Sequence, residues 1–572
     1  MANLDFIVMG VFALLIFCIG LTFTRVGSKN GQAFFEAGGE TPWWINGLSL
    51  FISYFSAGTF VVWGSIAYKF GLVANAIQLT MAISGLIVTL FIAAKWKKAG
   101  VATAAEYIGK RFGAAEKQFY TYLTLLLSLF TTAAVLYPVG KMLHVVTALP
   151  VNMSILIIGL IIVLYTAAGG LWAVLVTDVV QFVILSAAVI IVIPIAFANI
   201  GGFSNLVTKA PPDFFMPFNE DYTFGFMLAF IVYQTFYIGG NWSYVQRYTS
   251  VSTEKNSKKV AGIFTVLYFV SPVIWMLPPM VYRIINPDLQ GLDTEDAYMM
   301  LIQKVMTAGL IGLVLAGMVS ATSSKANTTI NMAATVFAQD IYKNLIRPLA
   351  SENEVIWMAR FFTCLFGAAT IGVAIWIPSA GGIVEVVLST ASIAGGALFA
   401  PIIWTLFSPR QTGLSVVTTT LVSLSINLFL KIGCPVLFGF KLDRTLETTA
   451  GMGIPVLILA SFEVFYYLKG QVSAKALAMK ADAEMVLALN TSPSGTSHAD
   501  AADQNIFGIK VIAIAMGTVG LGIIILGVLA AEFSGIVIVV GLSVLLASLF
   551  LGRLSLKMKH KPNLSEEQAQ YA

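Results

Sequence analysis

One lysine, Lys325, stands in an otherwise uncharged apolar segment, Leu313-Val-Leu-Ala-Gly-Met-Val-Ser-Ala-Thr-Ser-Ser-Lys325-Ala-Asn-Thr-Thr. At membrane depth an ammonium group costs roughly 2.5–3.5 kcal/mol on the insertion scale, so it is normally paired or lines a pathway. Ala321, Ser324, Lys325 and Thr328 follow i, i+3, i+4, i+7 spacing and form one helical stripe. Ser49, Ser53 and Ser56 make a second stripe, Asp178 and Gln181 lie one turn apart, and Glu385 is followed one turn on by Ser389. Small and hydroxyl residues often serve helix packing alone. Asp178 and Lys325 fit that role poorly, because a charge inside a span is expensive. Glu385 reads equally as a structural cap near a helix end, and Lys141 and His144 as groups reaching an interface.

The elements that must position these groups follow from composition. Of 572 residues, 58% are hydrophobic and only 11% charged, with a net charge of +5. Soluble domains are about 25% charged, so the chain reads as an all-α polytopic membrane protein. Its basic residues are spread over loops, a pattern of membrane orientation that does not suggest nucleic acid. Cys18, Cys364 and Cys434 lack metal or redox spacing. No HExxH, CxxC or GxxxxGK[ST] pattern occurs, so neither a metalloenzyme nor an ATP-driven pump has support. The sequence also shows no paired catalytic groups of an intramembrane enzyme.

A helix needs about 20 mostly apolar residues to cross a bilayer, which gives about fifteen spans. Whether the last two are separate depends on a tight turn at Ala531-Glu-Phe-Ser-Gly535. Asp5 precedes the first apolar run and Arg25 follows it, the reverse of a secretory signal, which places the N-terminus outside. Loops then expected inside carry Lys95, Lys97, Lys98, Lys110 and Arg111, then Arg247 through Lys259, Lys343 to Arg347, and Arg410. The cytoplasmic C-terminus adds Arg553, Lys557, Lys559 and Lys561. Outside loops carry Asp213, Glu220, Asp221, Asp288, Asp293, Glu295 and Asp296, a positive-inside pattern. Residues 470–505 are polar and read as a partly disordered cytosolic linker. Two spans, five apart, are interrupted, at Ser56-Ala-Gly58 and at Gly239-Gly240-Asn241. Interrupted spans in corresponding halves mark binding sites in membrane carriers, although ordinary membrane helices also tolerate glycine.

Several stretches together resemble the sodium:solute symporter family. They are Phe34-Phe-Glu-Ala-Gly-Gly-Glu-Thr-Pro-Trp-Trp44, Ala105-Glu-Tyr-Ile-Gly-Lys-Arg-Phe112, Gly169-Gly-Leu-Trp-Ala-Val-Leu-Val-Thr-Asp-Val-Val-Gln181, Gln246-Arg247, and Asn331-Met-Ala-Ala-Thr-Val-Phe-Ala-Gln-Asp-Ile-Tyr342. The resemblance implies a LeuT-like fold of two inverted five-helix repeats, at 44–200 and 224–407. An extra N-terminal helix would fall within 1–30. Additional helices would occupy 413–469, and the C-terminal helices and basic tail 507–572, about four extra C-terminal helices by the same length criterion.

The resemblance also implies site residues. The family's main sodium site falls on the carbonyls of Ile52, Phe55 and Ala321 and on Ser324 and Lys325, so a lysine replaces the second hydroxyl. Sodium wants oxygen ligands, whereas a protonated lysine offers only donors and a like charge. A second sodium site, present in some members, falls on Asp178, Asn327 and Thr328. Asp178 would then lie close enough to Lys325 to be its counter-ion. The family's solute site falls on Thr59, Gln78, Gln234, Tyr237 and Tyr268, with Asn241 at the second interruption. This set is polar and aromatic, suited to a hydroxylated solute, while its departures from the family pattern put glucose and galactose in doubt.

The reading is a secondary active transporter in the plasma or inner membrane, moving a small polar organic solute by alternating access. Sodium is the expected coupling ion, with no cofactor, no nucleic acid and no obligate protein partner. A proton-coupled or ion-independent carrier, with Lys325 where sodium would sit, is the rival within the class. A channel would need a continuous polar lining or charged ring, and a transport-derived sensor a signalling domain larger than 470–505.

Overall fold

The computed structural model describes residues 2–27, 41–165, 171–479, 481, 495–530 and 532–559; the side chains of Ser324, Asn327 and Thr328 lie outside the described set. Residues 34–40 and 166–170, parts of two motifs above, lie outside it as well. The described residues are almost entirely helical. Without water to satisfy backbone groups, an apolar run in lipid has to bond its own amides, and the helix does so. Eleven helices are long and apolar enough to cross a bilayer, or 12 with the bent pair counted as one span. The shorter apolar helices Val151–Val163, Phe224–Gly240 and Leu310–Ser323 fill the remaining expected spans.

In chain order the helices used below are α1 Asn3–Gly27, α2 Trp43–Tyr54, α3 Thr59–Phe70, α4 Leu72–Lys98, α5 Ala114–Thr147 and α6 Val151–Tyr165. They continue as α7 Leu171–Ile200, α8 Phe224–Gly240, α9 Trp242–Thr249, α10 Glu254–Ile285, α11 Leu310–Val336 and α12 Glu352–Trp376. The last are α13 Ile383–Thr405, α14 Gly413–Phe438, α15 Arg444–Leu468, α16 Gly495–Leu529 and α17 Ser534–Lys559. Side-chain caps set several starts: Thr223 for α8, Thr253 for α10 and Asp443 for α15 each accept an amide of the first turn.

α2 packs on α10, and α4 on both α8 and α10; a second group joins α5, α6, α11 and α12. α7 runs between the groups and touches α1, α2 and α11. The members of each group recur at an offset of five spans. α14 to α17 are the four additional C-terminal helices. α16 and α17 are separate and pack closely: a Cβ on Gly520 would lie 3.0 Å from the Gly541 carbonyl.

Both expected interruptions are present. α2 and α3 meet at a 56° bend. There the Ser56 amide donates to Thr59 Oγ1 at 3.3 Å, and the Gly58 amide to Ser56 Oγ at 3.2 Å. The Ile52 carbonyl thus loses the amide that would have closed the next turn. At the second break Asn241 is extended (φ −63°, ψ 129°), and its side chain caps α9 through the Ser243 amide. Trp96 Nε1 donates to the Gly239 carbonyl at 2.6 Å, and the Tyr248 hydroxyl to that of Ile238 at 3.0 Å.

Following the loop charges, the end bearing Lys95 to Lys98 is written as inner. At the outer end the two-turn 3-10 helix Gly291–Asp296 packs on the bundle. Tyr137 of α5 donates to Glu295 at 2.8 Å, the Ile383 amide of α13 donates to its other oxygen at 3.0 Å, and Lys141 pairs with Asp296 at 2.9 Å. Burial holds both carboxyls above their ordinary range, while Lys141 pulls each of them down. Lys141, expected at the interface, is therefore a buried partner. Glu385 pairs with Lys431 at 2.7 Å and bonds Ser389, tying α13 to α14. At the inner end, residues 470–479, 481 and 495–505 of the expected linker are described. Lys475 bonds the Phe112 carbonyl, Arg111 donates to Ser473 at 2.9 Å, and α16 already begins at Gly495.

Asp5 of α1, expected only as an outer charge, is fully buried and accepts the Gly309 and Gly312 amides at the start of α11 at 2.6 and 3.0 Å. α1 can approach because residue 312 is glycine; a Cβ there would lie 2.4 Å from the Asp5 carbonyl. Asp5→Ala leaves two buried amides without an acceptor and should cost about 1–3 kcal/mol. A thermal unfolding midpoint in detergent equal to that of the parent would refute this cap.

Candidate functional site

A cavity of about 150 Å³ lies among α2, α5, α7, α8, α9, α11 and α13. Thr124, Ser128 and Thr131 come from the early turns of α5, Asp178 from those of α7, and Tyr237 from the end of α8. Thr329 and Met332 come from the late turns of α11. All lie toward the inner end, and the lining residue Ser243 is exposed.

The charged core of the site is a pair that sequence reasoning did not find. Arg247 of α9, counted among the inner loop charges, is 4% exposed and lies 3.5 Å from Asp178 of α7. Its Nε donates to Ser49 Oγ at 3.3 Å, Nη2 to Ser53 Oγ at 3.2 Å, and Nη1 to the Ser243 carbonyl at 2.8 Å. Ser49 in turn donates to Asp178 at 2.5 Å. The serine stripe of α2 thus binds a guanidinium. Two signals pointed to it: the motif Gln246-Arg247 and the three-to-four spacing of the serines.

The expected pairing of Lys325 with Asp178 is not made in this structure. Both residues line the cavity, but Asp178 is engaged by Arg247 and Ser49, and among the described residues no carboxylate pairs with Lys325. A guanidinium spreads its donors over several acceptors. It satisfies both the carboxylate and the serines of α2.

The cavity brings together Ile52, Asp178, Tyr237, Asn241, Ala321 and Lys325 of the expected residues. The carbonyl freed at the α2 break therefore belongs to a residue that shares one cavity with the α11 stripe. Ser324, Asn327 and Thr328 fall on side chains outside the described set. The other expected residues lie off this cavity. Phe55 packs on Trp275, with ring centres 3.9 Å apart, and Thr59 serves the backbone of the break. Gln234 accepts the Tyr54 hydroxyl, and Tyr268 packs edge-on against Tyr54 at 5.5 Å. Gln78 is fully buried, with neither amide atom bonded by a described residue. The physical reason is an aromatic layer. Tyr54, Tyr237 and Tyr244 meet with centres 5.7–5.9 Å apart, and Phe60 and Tyr298 at 4.2 Å continue the packing outward. Tyr54 and Tyr244 were not anticipated, because spacing does not report which way a tyrosine points.

The arrangement is a polar chamber on the inner side, sealed outward by rings and then by the Glu295 and Asp296 contacts. The sodium/myo-inositol cotransporter 2 of Bos taurus is 28% identical over 415 residues, 65% of this chain and 61% of the relative; the chain thus spans less than two thirds of that relative's length. The sodium/glucose cotransporter of Vibrio parahaemolyticus is 25% identical over 75% of this chain and 85% of its own. A solved Na+-coupled sialic acid symporter, in a substrate-bound outward-open state, matches with a TM-score of 0.66 at 22% identity, over 81% of this chain and 98% of that one. That likeness shows a shared, LeuT-like fold. The model of the sodium:solute symporter family matches residues 34–417, so this multi-pass membrane chain belongs to the sodium:solute symporter family.

Proposed function

We propose that the chain is a sodium-coupled secondary transporter that moves a small polar organic solute by alternating access. The observation that carries this reading is the cavity at the two helix breaks, reached from the inner end and closed from the outer end by rings and by the contacts of Gly291–Asp296. The solute meets Tyr237 and Asn241 on the inner side. Thr59, Gln78, Gln234 and Tyr268 come into contact with it when the aromatic layer parts in the outward-facing state. The N-terminus faces outside and the C-terminus the cytoplasm, as the loop charges require.

A second reading has its own observation. Ile52 and Ala321, two of the proposed main-site positions, line the cavity together with Lys325, and Asp178 of the second site is held by Arg247. These support a reading in which fixed cations take the place of both expected sodium ions. Two unit charges about 4 Å apart repel by about 4 kcal/mol at an effective dielectric of 20. On this reading the carrier is proton-coupled or ion-independent, and the ammonium supplies the charge sodium supplies elsewhere in the family.

Uptake in proteoliposomes under an imposed sodium gradient, a proton gradient or neither separates the two. Saturable counterflow with acceleration by inward sodium is expected. Uptake indifferent to sodium would select the second reading, and flux that does not saturate would sink both.

The Asp178–Arg247 pair holds α9 to α7. Breaking a buried pair on one side costs about 3–5 kcal/mol, because the remaining charge is uncompensated. Arg247→Met should destabilise the detergent-solubilised protein more than Arg247→Met with Asp178→Asn. A Lys325→Met and Asp178→Asn cycle should show little coupling. Additive effects in the first cycle, or strong coupling in the second, would return Asp178 to Lys325.

A further inference from the structure

We infer that the transported solute is a small hydroxylated carboxylate, a monoanion held by Lys325. The inference deepens the carrier reading and rests on it. Three charged side chains line the cavity: Asp178, Arg247 and Lys325. The first two cancel, and Arg247 is further held by hydrogen bonds to Ser49, Ser53 and the Ser243 carbonyl. Lys325 has no carboxylate partner among the described residues, and the undescribed side chains nearest to it in sequence, Ser324, Asn327 and Thr328, carry no charge. One positive charge is left over. Sodium leaves with its solute, but a lysine stays in every state of the cycle. A neutral solute would leave that ammonium unmatched in a low-dielectric chamber, whereas a carboxylate forms a charge-assisted bond with it.

The hydroxyl lining adds to this. Ser128 donates to the Leu125 carbonyl at 2.6 Å, Thr329 to that of Lys325 at 3.1 Å, and Thr390 to that of Val386 at 2.7 Å. With their protons committed to their own helices, these oxygens offer lone pairs to a ligand. Thr124 Oγ1 is buried in the lining without a hydrogen-bond partner. The wall thus accepts hydroxyl donors. One cation favours a monoanion over a dianion. A cavity of about 150 Å³ is the size that holds benzene, about six non-hydrogen atoms, which matches a three-carbon hydroxy acid.

The test uses the purified full-length protein and matched probes at equal millimolar concentration: lactate against lactamide, and glycerate against glycerol. Thermal stabilisation by the carboxylates and not by their neutral partners is expected. Lys325→Met should weaken carboxylate binding by about tenfold or more, and Lys325→Arg should keep part of it. Equal shifts for neutral partners, no shift with either carboxylate, or a shift that survives Lys325→Met would each overturn the inference. The comparison of wild-type protein with matched probes decides the question even if the variants fail to fold. Iodide giving the same shift as lactate would make this a site for an inorganic monoanion and overturn the organic-acid assignment. Counterflow of radiolabelled lactate separates the two levels. Carboxylate binding without counterflow sinks the carrier reading alone, and saturable counterflow of glycerol but not glycerate sinks this inference alone.

Discussion

A guanidinium taken out of water has to find acceptors, and Arg247 finds them on three segments. Asp178 belongs to α7, Ser49 and Ser53 to α2, and the Ser243 carbonyl to α9 itself. The requirement fixes where α9 sits, and α9 begins at the Asn241 break. The position of that break sets Tyr237 and Tyr244 against Tyr54, and these rings form the outer wall of the cavity. With Asp178 committed to Arg247, Lys325 faces the cavity without it. The shape of the chamber and its surplus charge thus follow from one buried cation and its acceptors.

The family reading and the cavity support each other at different levels. Membership follows from similarity over residues 34–417 and would hold for any conformation. The cavity adds a feature of this chain's own: the ammonium of Lys325 lines it beside the Asp178–Arg247 pair. Fixed charge and mobile ion can serve the same helix contact, but only the mobile ion can be driven by its own gradient.

Much of the architecture is legible in the sequence, because hydropathy and glycine speak directly to it. Every expected span has its helix, and Ser56-Ala-Gly58 and Gly239-Gly240-Asn241 are both breaks. Asp178 and Lys325 stand out by the cost of their charge. The partner of Asp178 does not, since Arg247 lies where an apolar run gives way to a basic loop and is counted with the loop. Lys141 and Asp5 are hidden for the same reason: at a span's end, sequence cannot separate a solvated charge from a buried one. Gln78, Gln234, Thr59 and Tyr268 lie off the cavity because three tyrosines occupy the space between. Side-chain direction across a helix interface is set by packing, which no single-chain pattern reports.

The two interruptions are secured differently. At Ser56 the loosened amides are held by hydroxyls within the same few residues, Thr59 and Ser56. At Gly239 the exposed carbonyl is held by Trp96, a residue of α4 that is wholly buried. A joint fastened by its own residues can pivot without breaking ties to a neighbour, whereas one bolted to the next helix can only travel with it. The two joints thus differ in what a hinge motion would have to break: at Gly239 a bond to α4, and at Ser56 only bonds within the turn between α2 and α3.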